Sequence, residues 1–167
     1  MSGASFVSGM GSTAVQVGAG DFVSLPGSAS VLSSADALTI ALWFLETNDA
    51  PSAPLFDCRS FDQGLHIYRG VSASSLTTCW GAADSAFGPV GCESVPVDTG
   101  DWHHLIFRRS EGAELVELFV DGAPRATLGE PGFDIFGPLI SDVLLGAGNL
   151  GDFDSPKRFL LDEVRVY

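Results

Sequence analysis

The sequence predicts an all-β domain in which two antiparallel sheets pack face to face as a sandwich. Three observations carry that expectation. Short apolar or alternating runs recur along the 167 residues, separated by Gly, Pro, Ser and Asp, with 20 Gly and 9 Pro in the chain. No segment keeps an i, i+3, i+4, i+7 apolar spacing through three helical turns. Hydrophobic residues make up 46% of the chain and charged residues 17%, enough apolar side chain to fill one core at a length that suits a single domain over residues 1–167.

Taken in order, the expected strands are 12–17, 22–25, 38–46, 54–59, 64–69, 75–80, 91–96, 102–109, 114–120, 143–146 and 159–167. The run from Leu38 to Phe44 is apolar at most positions, as a central strand covered on both faces would be. Residues 114–120 alternate only partly and are placed nearer an edge. Gly70 separates two runs, Asp98-Thr99-Gly100-Asp101 precedes Trp102, and Asp121-Gly122 follows Leu118-Phe119-Val120. Each supplies turn chemistry, and Asp-Gly offers the positive φ values of a two-residue hairpin. Residues 129–137 and 149–156 read as longer loops that carry acids. Trp43 and Trp102 lie inside apolar strands and are expected in the core.

Twenty-one acids against eight bases give a formal net charge of −13, and the bases are seven Arg and Lys157, scattered rather than clustered. Such a field repels polyphosphate, so nucleic acid and anionic membrane surfaces are excluded as expected partners. No apolar run approaches the roughly 20 residues of a membrane span, and the start shows no basic, then apolar, leader pattern. The expectation is a protein kept without secretion or an excised domain, either an extracellular surface module or a virion component. Cys58, Cys79 and Cys92 are too few for a disulfide scaffold and lack zinc-site spacing. One bridge with a free thiol, and three buried thiols, both stay open.

The order of signals resembles the concanavalin A-like jelly rolls of the laminin G-like and pentraxin type. The blocks that carry the resemblance are Val17-Gly18-Ala19-Gly20-Asp21-Phe22-Val23-Ser24-Leu25-Pro26, Leu38-Thr39-Ile40-Ala41-Leu42-Trp43-Phe44 and Asp101-Trp102-His103-His104-Leu105-Ile106-Phe107. Leu118-Phe119-Val120-Asp121-Gly122, Val143-Leu144-Leu145-Gly146 and the closing Leu161-Asp162-Glu163-Val164-Arg165-Val166-Tyr167 complete the order. The resemblance implies a jelly-roll sandwich; it leaves function open, because this fold hosts lectins, hydrolases, adhesion modules and structural domains. It also implies a structural calcium tying the first strand to the last, with Asp162 as side-chain ligand and Gly20 and Asp21 near the opening. Calcium takes six to eight oxygens, which acidic turns can supply. A second, loop-borne calcium set would draw on Asp142, Asn149, Asp152 and Asp154.

Catalytic motifs fare worse. His103 and His104 are strand neighbours and point to opposite faces, so they cannot share one ion. Residues 146–151 fit G-x-G-x-x-G, yet no helix and parallel strand can follow in the sixteen residues that remain. There is no phosphate-binding loop and no G-x-S-x-G elbow. The E-x-D-x-x-E strand of jelly-roll glycosidases is missing, and Glu114 and Glu117 face opposite sides. The chain is therefore expected to be non-catalytic. For sugar, Trp80 with Asp84 and Phe87 is the candidate platform; Cys79 and Cys92 flank that hairpin and would bridge if they lie opposite one another. The partner classes are a glycan or a protein surface. A lectin-like adhesion module heads the readings, with a structural or virion decoration component of a homo-oligomer or larger assembly as the alternative. A glycoside hydrolase comes last.

Overall fold

The computed structural model describes residues 4–18, 20–35, 37–46, 54–60, 64–69, 75–81, 91–98, 100–110, 115–128, 140–146 and 159–167. Its elements are β1 (Ser5–Ser8), β2 (Thr13–Val17), β3 (Val23–Leu25), α1 (Ser28–Ser34), β4 (Leu38–Glu46), β5 (Pro54–Asp57), β6 (Gly64–Arg69), β7 (Ser75–Gly81), β8 (Gly91–Pro96), β9 (Trp102–Arg109), β10 (Val116–Val120), β11 (Ala123–Leu128), β12 (Val143–Leu145) and β13 (Phe159–Val166). They form a larger sheet in the order β1-β2-β13-β4-β9-β10-β11 and a smaller one in the order β3-β12-β5-β6-β7-β8. All pairings are antiparallel. The expected two-sheet sandwich is the observed architecture.

Alternation decides which side of each strand becomes core. In β4 the positions Leu38, Ile40, Leu42, Phe44 and Glu46 are buried and the positions between them half-buried. The pattern repeats in β10, where Val116, Leu118 and Val120 are buried, because successive side chains of a strand point to opposite faces. Residues of both sheets meet in one apolar cluster. Phe56 of the smaller sheet faces Phe107 of the larger with ring centroids 6.5 Å apart, one of the contacts that hold the two layers together.

Two sequence expectations are corrected here. Trp43 occupies an odd position of β4 and so lies on the outer face of the larger sheet, half-buried, with its ring stacked 4.6 Å from that of His104. Trp102 is likewise half-buried. Unbroken apolar sequence in β4 thus marks a core face and an aromatic outer face, not two core faces. Three elements were not expected at all: β1, α1 and β11.

Local chemistry closes the sandwich at its ends. β13 carries a bulge between Asp162 and Arg165, with Glu163 at φ 48°. The bulge aims the Asp162 carboxylate under the β1–β2 hairpin, where it accepts from Met10 N (3.2 Å), Ser12 Oγ (3.2 Å) and Glu163 N (2.8 Å). Gly9 is required there, since a Cβ would collide with Asp162 Oδ2 and stand 2.9 Å from the backbone N of Ala14. Helix α1 starts after Gly27 at φ 83°. Its N-terminal N–H of Ala29 donates to Asp142 Oδ1 (3.0 Å), across 113 residues of sequence. No helix among the described residues is long and apolar enough to cross a membrane.

Candidate functional site

The outer face of the smaller sheet gathers the polar groups. Register places Ser24, Leu144, Asp57, His66, Cys79 and Cys92 opposite one another in turn, one row running across β3, β12, β5, β6, β7 and β8. A second row holds Tyr68, Thr77 and Ser94. The spacing is that of strands: Asp57 and Arg59, and His66 and Tyr68, are two residues apart and share a side.

Asp57 is fully buried although it lies on an outer face. Arg59 compensates it, with Nε at 3.1 and 3.2 Å from the two carboxylate oxygens, Nη2 at 2.8 Å from Oδ2 and its own backbone N–H donating to Oδ1 at 2.8 Å. A bidentate guanidinium is the partner that makes a buried carboxylate tolerable. His66 is 2% exposed and stacks on Tyr68 with ring centroids 4.8 Å apart. Burial pushes the His66 imidazole down to about 4, with Arg59 adding to the fall and Asp57 opposing it, so the ring is neutral at ordinary pH. Thr77 Oγ1 and Ser94 Oγ lie 2.9 Å apart. Asp57, His66 and Thr77 are buried, Tyr68 is half-buried and Ser94 is exposed. The result is a rigid floor with an aromatic edge and hydroxyl groups toward β8, an arrangement that can hydrogen-bond and stack on a polyhydroxylated ligand. Asp57 is the one acid that the described strands place on this face, and Arg59 grips it.

The residues singled out from sequence are distributed otherwise. Asp162 is held by protein N–H and O–H donors at the β1–β2 hairpin, as above. Asp21 lies past the far end of β2, where its Oδ2 accepts from Gly18 N (3.3 Å) beside Gly20 at φ 76°. Because β2 and β13 run antiparallel with Val17 opposite Phe159, the structure does not bring Gly20, Asp21 and Asp162 together, and hydrogens point at Asp162 where a cation would sit. This trio does not fit a calcium ion. Asp142 is spent on α1: backbone N–H groups of Ala29 and Gly27 hold its carboxyl below the usual range. No group of three His, Cys, Asp or Glu among the described residues could hold a metal ion. Asn149, Asp152, Asp154, Asp84 and Phe87 lie outside the described residues. The backbone of Trp80 is in β7, opposite Leu65 and Gly91. Register sets Cys79 opposite Cys92; Cys92 is disulfide-bonded and Cys58 is a free, buried thiol. Burial pushes the Cys58 thiol up to about 12.

His103 and His104 point to opposite faces, as strand geometry requires. Both are half-buried. His103 lies between Asp121 Oδ2 (2.8 Å) and the carbonyl of Asp98 (2.9 Å). The polar set of Asp57, Arg59, His66 and Tyr68 was not picked out as a site from sequence. Its signal was present in Asp57-x-Arg59 and His66-x-Tyr68, polar pairs at strand period inside apolar runs.

The laminin G-like model of the concanavalin A-like lectin/glucanases superfamily matches residues 17–167. The chain belongs to that superfamily. No curated protein sequence matches it significantly. Among solved structures, one of botulinum neurotoxin type C, reported with cell entry dependent on two ganglioside molecules, superposes with a TM-score of 0.69 at 10% identity. That match covers 98% of this chain and 41% of the other. The receptor-binding domain of a botulinum neurotoxin mosaic serotype C/D gives 0.67 at 9% identity, with 98% and 41% covered. The Ruminococcus gnavus IT-sialidase CBM40, bound to α2,3 sialyllactose, gives 0.64 at 17% identity, with 89% and 88% covered. This concanavalin A-like chain thus spans about two fifths of the toxin chains and most of the CBM40. At these identities the likeness shows the shared fold.

Proposed function

We propose that this domain is a non-catalytic carbohydrate-binding module that reads a glycan with the outer face of β5 to β8. The observation that carries the reading is the row of Asp57, Arg59, His66, Tyr68, Thr77 and Ser94, polar and aromatic groups concentrated on one outer sheet face of a protein whose core is apolar. Buried Asp57 and His66 form the floor, with Arg59 held to Asp57; Tyr68 and Ser94 stand nearer solvent and make the contacts. Support also comes from the company of the fold, since structures similar to it are binding domains, among them one holding sialyllactose.

The ligand is a neutral glycan. A net charge of −13 repels acidic sugars, and the guanidinium on this face is committed to Asp57, whereas a sialic acid carboxylate needs a cation of its own. Screening on a glycan array, followed by calorimetry on the hits, tests this. Neutral glycans should bind, and Tyr68→Ala should weaken them at least tenfold while leaving the thermal midpoint of the fold close to that of the parent. Binding confined to sialylated glycans, or unchanged by Tyr68→Ala, would refute the assignment.

A further inference from the structure

We propose that the disulfide between Cys79 and Cys92 is a redox control on the ligand face: a dithiol reductant opens it in the folded chain, frees β8 and weakens glycan binding. The inference rests on the glycan reading above. Of the three cysteines, Cys58 is a free thiol and Cys92 is disulfide-bonded, so Cys79, which register sets opposite Cys92, is its partner.

The pair stands in the row of Asp57 and His66, beside the row of Tyr68, Thr77 and Ser94. Cys92 and Ser94 are two residues apart on one strand and share a face. A shift of β8 against β7 therefore draws Ser94 away from Thr77, whose Oγ1 lies 2.9 Å from Ser94 Oγ. Among the described residues β8 is the end strand of the smaller sheet, with β7 as its neighbour there, so the disulfide reinforces a strand that has one partner in its sheet.

Its position suits a bond that opens without unfolding the domain. The two strands already pair at six positions, and Cys92 is exposed, as readily reduced disulfides are. A thiolate of the dithiol attacks Cys92 Sγ, the S–S bond breaks, and Cys79 leaves as a thiolate that takes up a proton. The second thiol of the reductant then displaces Cys92 from the mixed disulfide. The reductant ends as a disulfide, and two electrons and two protons have passed to the protein. Unbonded thiols cannot sit as close as bonded sulfurs, so the strands part at this end. Cys58 stays out of the exchange: it is buried, its Sγ accepts from Leu65 N at 3.3 Å, and burial withholds the thiolate that would attack.

Dithiothreitol, a maleimide and a neutral glycan that binds the oxidised chain test the proposal on the full chain. Under native conditions reduction should make two thiols reactive and move the amide shifts of β8 while those of β4 and β9 stay. Affinity should fall by about fivefold, the worth of one hydrogen bond, and return on reoxidation. The double variant Cys79→Ser, Cys92→Ser should bind as the reduced parent does and ignore dithiothreitol. Thiols that appear only in denaturant, reduction that unfolds the whole chain, or equal affinity in the two states would overturn the redox control and leave the glycan reading standing. A chain that binds no glycan in either state would overturn both.

Discussion

At the scale of single residues, the burial of a polar group decides its role, because an interior carboxylate or imidazole must be matched by partners or neutralised. Asp162 is matched: three donors converge on it from two segments far apart in sequence. Asp162→Ala leaves Met10 N and Ser12 Oγ short of acceptors and should cost about 2–3 kcal/mol, measured by urea unfolding. That loss should be the same with calcium or chelator present, since the donors belong to the protein. His66 is neutralised instead. Its ordinary value of 6.5 falls to about 4 on folding, so between those values the unfolded chain binds more protons than the native one. The stability tied to the neutral ring is complete above about pH 6.5 and is lost as pH drops toward 4, a total of about 3 kcal/mol. His66→Gln should flatten that part of the stability profile. Cys58, with its thiol held protonated and buried, should resist iodoacetamide in the native protein and react on unfolding.

At the scale of elements, what the sequence revealed follows from how strongly each strand alternates. β4, β9 and β13 were legible because each is a long strand with apolar residues at strand period, and β4 and β9 pair along eight consecutive positions. Phe107→Ala in β9 removes a ring that packs across to Phe56 and should lower stability by about 3–5 kcal/mol. The elements that escaped notice lack that signal. β1 has two apolar residues between serines. β11 contains Pro124, which argues against a central strand but is tolerated at an edge, and the β10–β11 register shifts between Leu118 and Phe119 to fit it. α1 is seven residues long, four of them serine, too short and polar for a helical period; Asp142, far along the chain, completes its start. A contact of that separation leaves no trace in local pattern. The candidate site was half legible for the same reason. Asp57-x-Arg59 and His66-x-Tyr68 could be seen as strand-period pairs, but only the register of β5 with β6 makes them neighbours.

At the scale of the whole molecule, the two sheets divide the work. The larger one presents an outer face of half-buried aromatic and charged groups, Trp43 stacked on His104 and Arg108 over the Phe119 ring at 5.3 Å, with Arg108 in turn paired to Glu117 at 2.6 Å. These cross-strand pairs stabilise the sheet. The smaller one concentrates polar groups on its outer face, where the proposed glycan would sit. Of the acidic surplus read from composition, Asp142 and Asp162 are held by backbone donors at a helix start and a strand bulge. The most direct test is a map of amide chemical shifts during titration with a neutral glycan that binds. The account predicts shifts concentrated on Tyr68, Thr77 and Ser94 and the strands that carry them. Shifts gathered instead around Trp43, His104 and Phe119, on the opposite side of the sandwich, would contradict it.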